Sequence, residues 1–279
     1  MAAPEPASAE VAGLPEVALY RPAQGQPIED RGSSTAERQE FVAALGPAYT
    51  DSITTVNAAL AAWPALRQDA SAAAKTDLVA VRVFFGRSGS SASRLNAALR
   101  AGAEPELPGY VPCLVSGLRR LPPSRRAMVC QGRLTVPAQQ LYPEGATLVE
   151  PAFRIVSGAG GLAIEGADVD YLIWSRSARQ VGVLGEPELD EAIFLAGTRF
   201  KVLAVRDGAG QEGIPATAVL LREVAPGEIV APGIDDGDRT VINRLERALT
   251  RRRTVAPVLL TDPEAIDRLI GPPLGFVAV

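Results

Sequence analysis

Asp190-Glu191-Ala192-Ile193-Phe194-Leu195-Ala196-Gly197-Thr198-Arg199-Phe200-Lys201-Val202 is the stretch on which the fold reading turns. A glutamate leads into a short apolar run, a Gly-Thr turn interrupts it, and a second run follows, which is how two strands joined by a tight loop read in sequence. The acids in front of it, Glu186, Glu188, Asp190 and Glu191, form the only dense carboxylate group of the chain. By composition alone such a group is a solvated loop.

Outward from this stretch, everything after Pro123 has the same texture: short apolar runs punctuated by Gly and Pro, at 127–136, 147–156, 169–174, 192–195, 200–205 and 216–224. Residues 1–32, rich in Pro, Ala, Gly and Glu, have no period, and from Ser34 to Pro123 the period is helical. Ser34-Thr35-Ala36-Glu37 is a capping-box pattern, and Phe41, Leu45, Ile53, Val56, Leu60 and Trp63 recur at helical spacing with a break at Gly46-Pro47. Residues 77–85 fit both alternations, Val79/Val81/Val83/Phe85 as a strand or Leu78/Val81/Phe85 as a helix, with the balance toward helix. Two more amphipathic helices are expected over 93–100 and 110–121, the latter stopped by Pro122-Pro123. Beyond Pro226 come a helix over 238–252, a strand around 255–260, a short helix over 263–270 and an apolar end at 276–279. Helices first and strands afterwards favour α+β over a doubly wound parallel sheet.

Composition removes several functions. Histidine is absent, which excludes Ser-His-Asp and Cys-His catalysis and most imidazole-ligated metal sites. Cys113 and Cys130 show no metal-ligand spacing and read as two buried thiols, so no metal is expected. A net charge of −4 argues against a nucleic-acid partner. There is no apolar run of about 18 residues, and residues 1–15 lack the basic and apolar regions of a signal peptide, so no membrane association and a cytoplasmic location are expected. Only Lys75 and Lys201 among the 28 basic residues are lysine, a bias toward a G+C-rich, bacterial-type genome. The segment Gly158-Ala159-Gly160-Gly161 carries Ala163 where a dinucleotide fingerprint needs Gly, and reads as a plain loop.

The quoted stretch resembles the signature that closes the active site of mono-ADP-ribosyltransferases of the Arg-Ser-Glu, toxin-like class: a Glu, an apolar strand, a Gly-Thr-x-Phe turn and another strand. Upstream, 171–183 is similar to the family's approach to the glutamate loop, 145–153 to its approach to the Ser-Thr-Ser motif, and 121–132 to the helix and strand that usually read Tyr-Arg-Gly. These four segments stand in the family's order and spacing across 110–224.

The resemblance implies NAD as the ligand, in a cleft between Gln131, Ser157 and Glu191. Glu191 takes the position of the catalytic glutamate, whose carboxylate stabilises an oxocarbenium-like ribose in a site with little water. Cys130-Gln131-Gly132 stands where the phosphate-gripping Arg is expected, and Ile155-Val156-Ser157 where Ser-Thr-Ser is expected. Leu189 occupies the place of the second Glu or Gln. Losing the guanidinium fork at Gln131 corresponds to about 1.5–3 kcal/mol, or roughly ten- to a hundredfold in affinity. Arg126, Arg133 and Arg154 are the candidates to compensate, with Arg133 expected on the face of Gln131 if the strand runs on.

The implied architecture is a helical subdomain (33–123), an ADP-ribosyltransferase-like β-sandwich core (124–224) and a small C-terminal α/β extension (225–279), preceded by a disordered or partner-binding arm (1–32). Either NAD-dependent transfer to an acceptor protein persists, weakened, or the domain is an inactive scaffold with a protein partner. The termini either order against a partner or a second copy of the chain, or the C-terminal part packs back as an extra layer.

Overall fold

A computed structural model describes residues 20–24, 28–63, 66, 70–86 and 92–278. Five helices come early: α1 (Thr35–Leu45), α2 (Ala48–Ala62), α3 (Ala72–Phe84), α4 (Ala92–Ala101) and α5 (Tyr110–Arg119). Ser34 caps α1 in the expected reciprocal box, its hydroxyl accepting from the Glu37 N–H while Glu37 accepts from the Ser34 N–H at 2.6 Å. Gly46, at φ +57°, ends it. The double reading of 77–85 has a physical origin: α3 is helical but buried almost all round, from Leu78 through Phe84 apart from Arg82, so its apolar residues carry no clean period. Its Asp77 is fully buried and accepts from the hydroxyls of Ser33 and Ser116, both at 2.6 Å.

The strands are β1 (Tyr20–Pro22), β2 (Ala127–Gly132), β3 (Thr147–Val149), β4 (Arg154–Ser157), β5 (Leu162–Ala163), β6 (Val169–Trp174), β7 (Arg179–Gln180), β8 (Glu191–Phe194), β9 (Arg199–Arg206) and β10 (Thr217–Val224). The short α6 (Ala138–Leu141) falls between β2 and β3. At the C-terminal end follow α7 (Asp236–Thr254), β11 (Val258–Leu259), α8 (Pro263–Leu269), β12 (Ile270–Gly271) and β13 (Phe276–Ala278). The single run expected over 147–156 is two strands, broken at Glu150-Pro151. Pro151 has no N–H to give a ladder, and the Glu150 carboxylate turns inward to the guanidinium groups of Arg100 and Arg154.

The main sheet runs β3-β9-β10-β6-β2-β4-β8-β7, with β12 also paired to β2. It is antiparallel except for β10–β6 and β12–β2. The expected sandwich is formed by this one sheet curling on itself. Phe194 of β8 and Phe200 of β9, far apart in strand order, meet edge to face with centroids 5.0 Å apart. Together with Met128, Cys130, Tyr171 and Val219 they fill the concave side. The convex side is covered by two bodies. Helix α7 sets Leu245 and Leu249 on Leu172, Leu203 and Leu220, each worth about 1.5–3 kcal/mol of burial. The early helices pack on Phe153, Ile155 and Ile193.

The arm and extension differ from expectation where they are described. Tyr20–Pro22, placed in the arm, is a strand antiparallel to β13, so the two termini tie each other. Residues 1–19 and 25–27 lie outside the described residues. The segment after residue 225 is interleaved with the core: α7 covers one face, β12 enters the main sheet, and Leu274 and Phe276 are fully buried beneath it. Intramolecular packing is therefore the alternative realised for the C-terminal segment.

Candidate functional site

Glu191 opens β8 directly opposite Ser157 of β4, and Ser157 in turn is the register partner of Val129 on β2. Facing residues on paired strands point to the same side, and so do residues two apart. Glu191, Ser157 and Gln131 therefore share the convex face, at the gap between α7 and the helical body. Two strand steps and two residues separate Glu191 from Gln131, about 12 Å.

The turn that delivers Glu191 is specific. Asp190 adopts the left-handed conformation (φ +48°), tolerable for Asp, and sends the chain into β8. Gly185 leaves room for the carboxylate, since a Cβ there would lie 2.8 Å from Glu191 Oε2. The Ser157 hydroxyl donates to the Leu189 carbonyl at 2.6 Å and accepts from the Ala159 N–H at 3.0 Å. It thus joins the loop before Glu191 to the glycine loop.

Glu191 is almost wholly buried and does not stand alone. Its Oε1 accepts from Arg268 Nε at 2.8 Å and its Oε2 from the Glu186 N–H at 3.1 Å. Arg268 also donates to Glu186 Oε1 at 2.7 Å, and its guanidinium lies 5.9 Å from the centre of the Phe85 ring. Burial pushes the Glu191 carboxyl above the usual carboxylate range, while the Arg268 bond and charge pull the other way. Beside this pair opens a cavity of about 200 Å³ lined by Arg82, Phe85, Gly185, Glu186, Glu264 and Arg268. It is smaller than the roughly 300–1,000 Å³ of pockets that enclose whole ligands.

The side expected to hold phosphates is built differently. Gln131 is fully buried, and its amide nitrogen donates to Asp170 Oδ1 and the Gly213 carbonyl, both at 2.9 Å. An amide has two donors, and both are spent. Arg252 of α7 completes the cluster, with Nε 2.6 Å from Asp170 Oδ2, Nη2 2.9 Å from Oδ1, and Nη1 donating to the Gly160 carbonyl at 2.9 Å. The glycine loop, read as plain, is held by this bond and by the Val258 N–H on the Gly161 carbonyl at 2.7 Å.

Nor does any of the three compensating arginines turn toward Gln131. Arg126 pairs with Asp190, and Arg154 is bound to Glu150 at 2.9 Å and to the Pro272 carbonyl at 3.1 Å. Strand β2 ends at Gly132, so Arg133 does not continue its alternation and lies exposed. Gly132 answers a packing need, because a Cβ there would lie 2.7 Å from the Tyr171 ring. The expected residues thus divide: Glu191 and Ser157 are brought together, while Gln131 shares their face but is committed to Asp170. Toward NAD, the carboxylate expected on the ribose side is present but occupied by Arg268 and the Glu186 N–H, and the donors expected on the phosphate side are spent. Arg268 and Gly185 were not singled out in the sequence, and Glu186 stood out there only as one of the carboxylate group. Arg268 lies 77 residues beyond Glu191 in a short helix with no motif of its own.

No family model and no curated protein matches this sequence. Solved structures do match. The type III effector XopAI from Xanthomonas axonopodis pv. citri superposes with a TM-score of 0.55 at 19% identity, over 70% of this chain and 85% of that one. ADP-ribosyltransferase HopU1 of Pseudomonas syringae pv. tomato DC3000 superposes with a TM-score of 0.56 at 16% identity, over 70% of this chain and all of that one. At such identities a likeness speaks for the fold alone. The chain has a mono-ADP-ribosyltransferase-like fold.

Proposed function

We propose that the chain is an ADP-ribosyltransferase-type protein that takes NAD weakly, with a protein as acceptor or partner, and whose transferase chemistry is suppressed in the conformation seen here. The observation that carries this is Glu191: a buried carboxylate at the start of β8, opposite Ser157, held by Arg268. The carboxylate is the one that the sequence resemblance assigns to catalysis, and its charge is already answered by Arg268. Spent donors at Gln131 account for the weakness, because phosphate would find no free amide there.

Thermal shift and calorimetry with NAD, together with a nicotinamide-release assay, test the reading on the full chain and on Glu191→Gln. Saturation at about 100 times the dissociation constant would stabilise the chain by about 2.7 kcal/mol. Slow nicotinamide release that disappears in Glu191→Gln is expected. The proposal fails if neither stabilisation nor release is seen up to millimolar NAD. The second reading, a catalytically inactive scaffold or assembly component, is favoured by one arrangement: Gln131 and Arg252 both locked on Asp170, which makes the phosphate side part of the core.

A further inference from the structure

Strand β2 has two edges. Strand β6 pairs along the whole of one, from Ala127 to Gly132, so β4 and β12 must share the other. Continuing the Val129–Ser157 register would bring Gln131 opposite Ile155. Ile270 of β12 stands there instead, followed by Gly271 opposite Gly132. The two strands that carry Ser157 and Gln131 are thus split, and the split is filled by the chain's own C-terminal segment. The fit is close, since a Cβ on Gly271 would lie 2.2 Å from Arg154 Nη1. Two residues before Ile270 in the same segment, Arg268 occupies the carboxylates of Glu191 and Glu186.

We propose that 263–271 is a displaceable plug, closing the Glu191 cleft by wedging β12 between β2 and β4 and latching Arg268 onto Glu191. The segment is built to move as a strap. Upstream, 254–259 is exposed, with Val258 and Leu259 tied to β5 as the near anchor; downstream, Leu274 and Phe276 are fully buried and supply the far one. Between them, sheet pairing amounts to two residues of parallel strand, with one Arg133 N–H on the Gly271 carbonyl. The other holds are side-chain contacts, of the buried Leu269 and Ala265, the half-buried Ile266 and Ile270, the Arg268 pair, Ser93 on Asp267 and Arg154 on the Pro272 carbonyl. An element joined to the sheet by a two-residue ladder opens locally at lower cost than β2 and β6, which pair over six residues. What the opened cleft receives rests on the NAD reading above; the opening itself does not.

Two measurements on the full chain decide it. In hydrogen exchange of the unmodified protein without NAD, amides of 263–271 should exchange at least about tenfold faster than those of 128–130 and 169–173. Equal rates would make the segment a permanent part of the core and overturn the proposal. In the second, Val129→Cys reports access to the split from β2, with the buried native thiols as the control for global unfolding. Adding Arg268→Ser or Gly271→Val should raise the labelling rate of position 129 about tenfold while Cys130 stays protected. Unchanged labelling at 129, or equal gains at 129 and 130, overturns it. A cleft that opens by both measurements yet takes no NAD sustains the plug and removes the NAD reading instead.

Discussion

Replacing Arg252 by Met tests whether the Asp170 cluster holds the phosphate side of the cleft shut. The side chains of Arg252 and Asp170 are 2% and 0% exposed, and two of the three guanidinium hydrogen bonds fall on that carboxylate, at 2.6 and 2.9 Å. Methionine keeps much of the apolar stem but removes the charge. Asp170 is then left buried with the Gln131 amide as its remaining side-chain donor. Stranding one member of a buried pair costs about 3–5 kcal/mol, which at about 2–4 °C per kcal/mol lowers Tm by about 6–20 °C. The same change at Arg206, paired with Glu246 at side-chain exposures of 41% and 42%, is the control. It should cost about 0–1 kcal/mol, hence at most about 4 °C. Calorimetric melting at neutral pH reads both, and an added Asp170→Asn should recover part of the loss by neutralising the stranded charge. If Arg252→Met melts within the range of the Arg206 control, Asp170 is hydrated and the argument that this cluster seals the site is wrong.

Three further outcomes follow from the same geometry. Hydrogen bonding to Arg31 holds the Glu37 carboxyl at about 2 against 4.5 for the free group. The contribution of the α1 cap should therefore be present above pH 4.5 and fade as pH falls toward 2, and in Glu37→Gln that part of the acid profile, followed by helical circular dichroism, should vanish. Burial pushes the thiols of Cys113 and Cys130 up to about 12; at about pH 8 a thiol reagent should titrate neither without denaturant, and rapid reaction of either would contradict their placement. Gln131→Arg, which the bare motif reading would expect to raise NAD affinity, should instead lower Tm without a calorimetric gain, because a second guanidinium would crowd Arg252 on Asp170. A gain in affinity would show that position 131 reaches an open pocket.

Local chemistry determined much of this fold in advance. The Ser34–Glu37 box, the Gly46-Pro47 break and the apolar run of β6 each announce an element through preferences that act within a few residues, and the Glu-strand-turn-strand signature placed Glu191 at the head of β8. That Glu191 and Ser157 meet was expected from the family resemblance of their segments, and the pairing of β4 with β8 brings them together. Other features were decided by packing. Glu150 breaks its run because two arginines, one from a helix and one from the next strand, converge on it. One sheet makes the sandwich because Phe194 and Phe200 close across it. Helix α3 hides its period because it is buried on nearly every side. The state of the cleft belongs to this second class. Arg268 on Glu191, Arg252 on Asp170 and β12 between β2 and β4 are pairings 77 residues or more apart, chosen by which surfaces meet when the C-terminal segment folds back. Sequence alone determined that Glu191 would open a strand behind the acidic loop; only tertiary packing decided that its charge is answered from within the chain, because no local pattern specifies a partner brought in from so far along the chain.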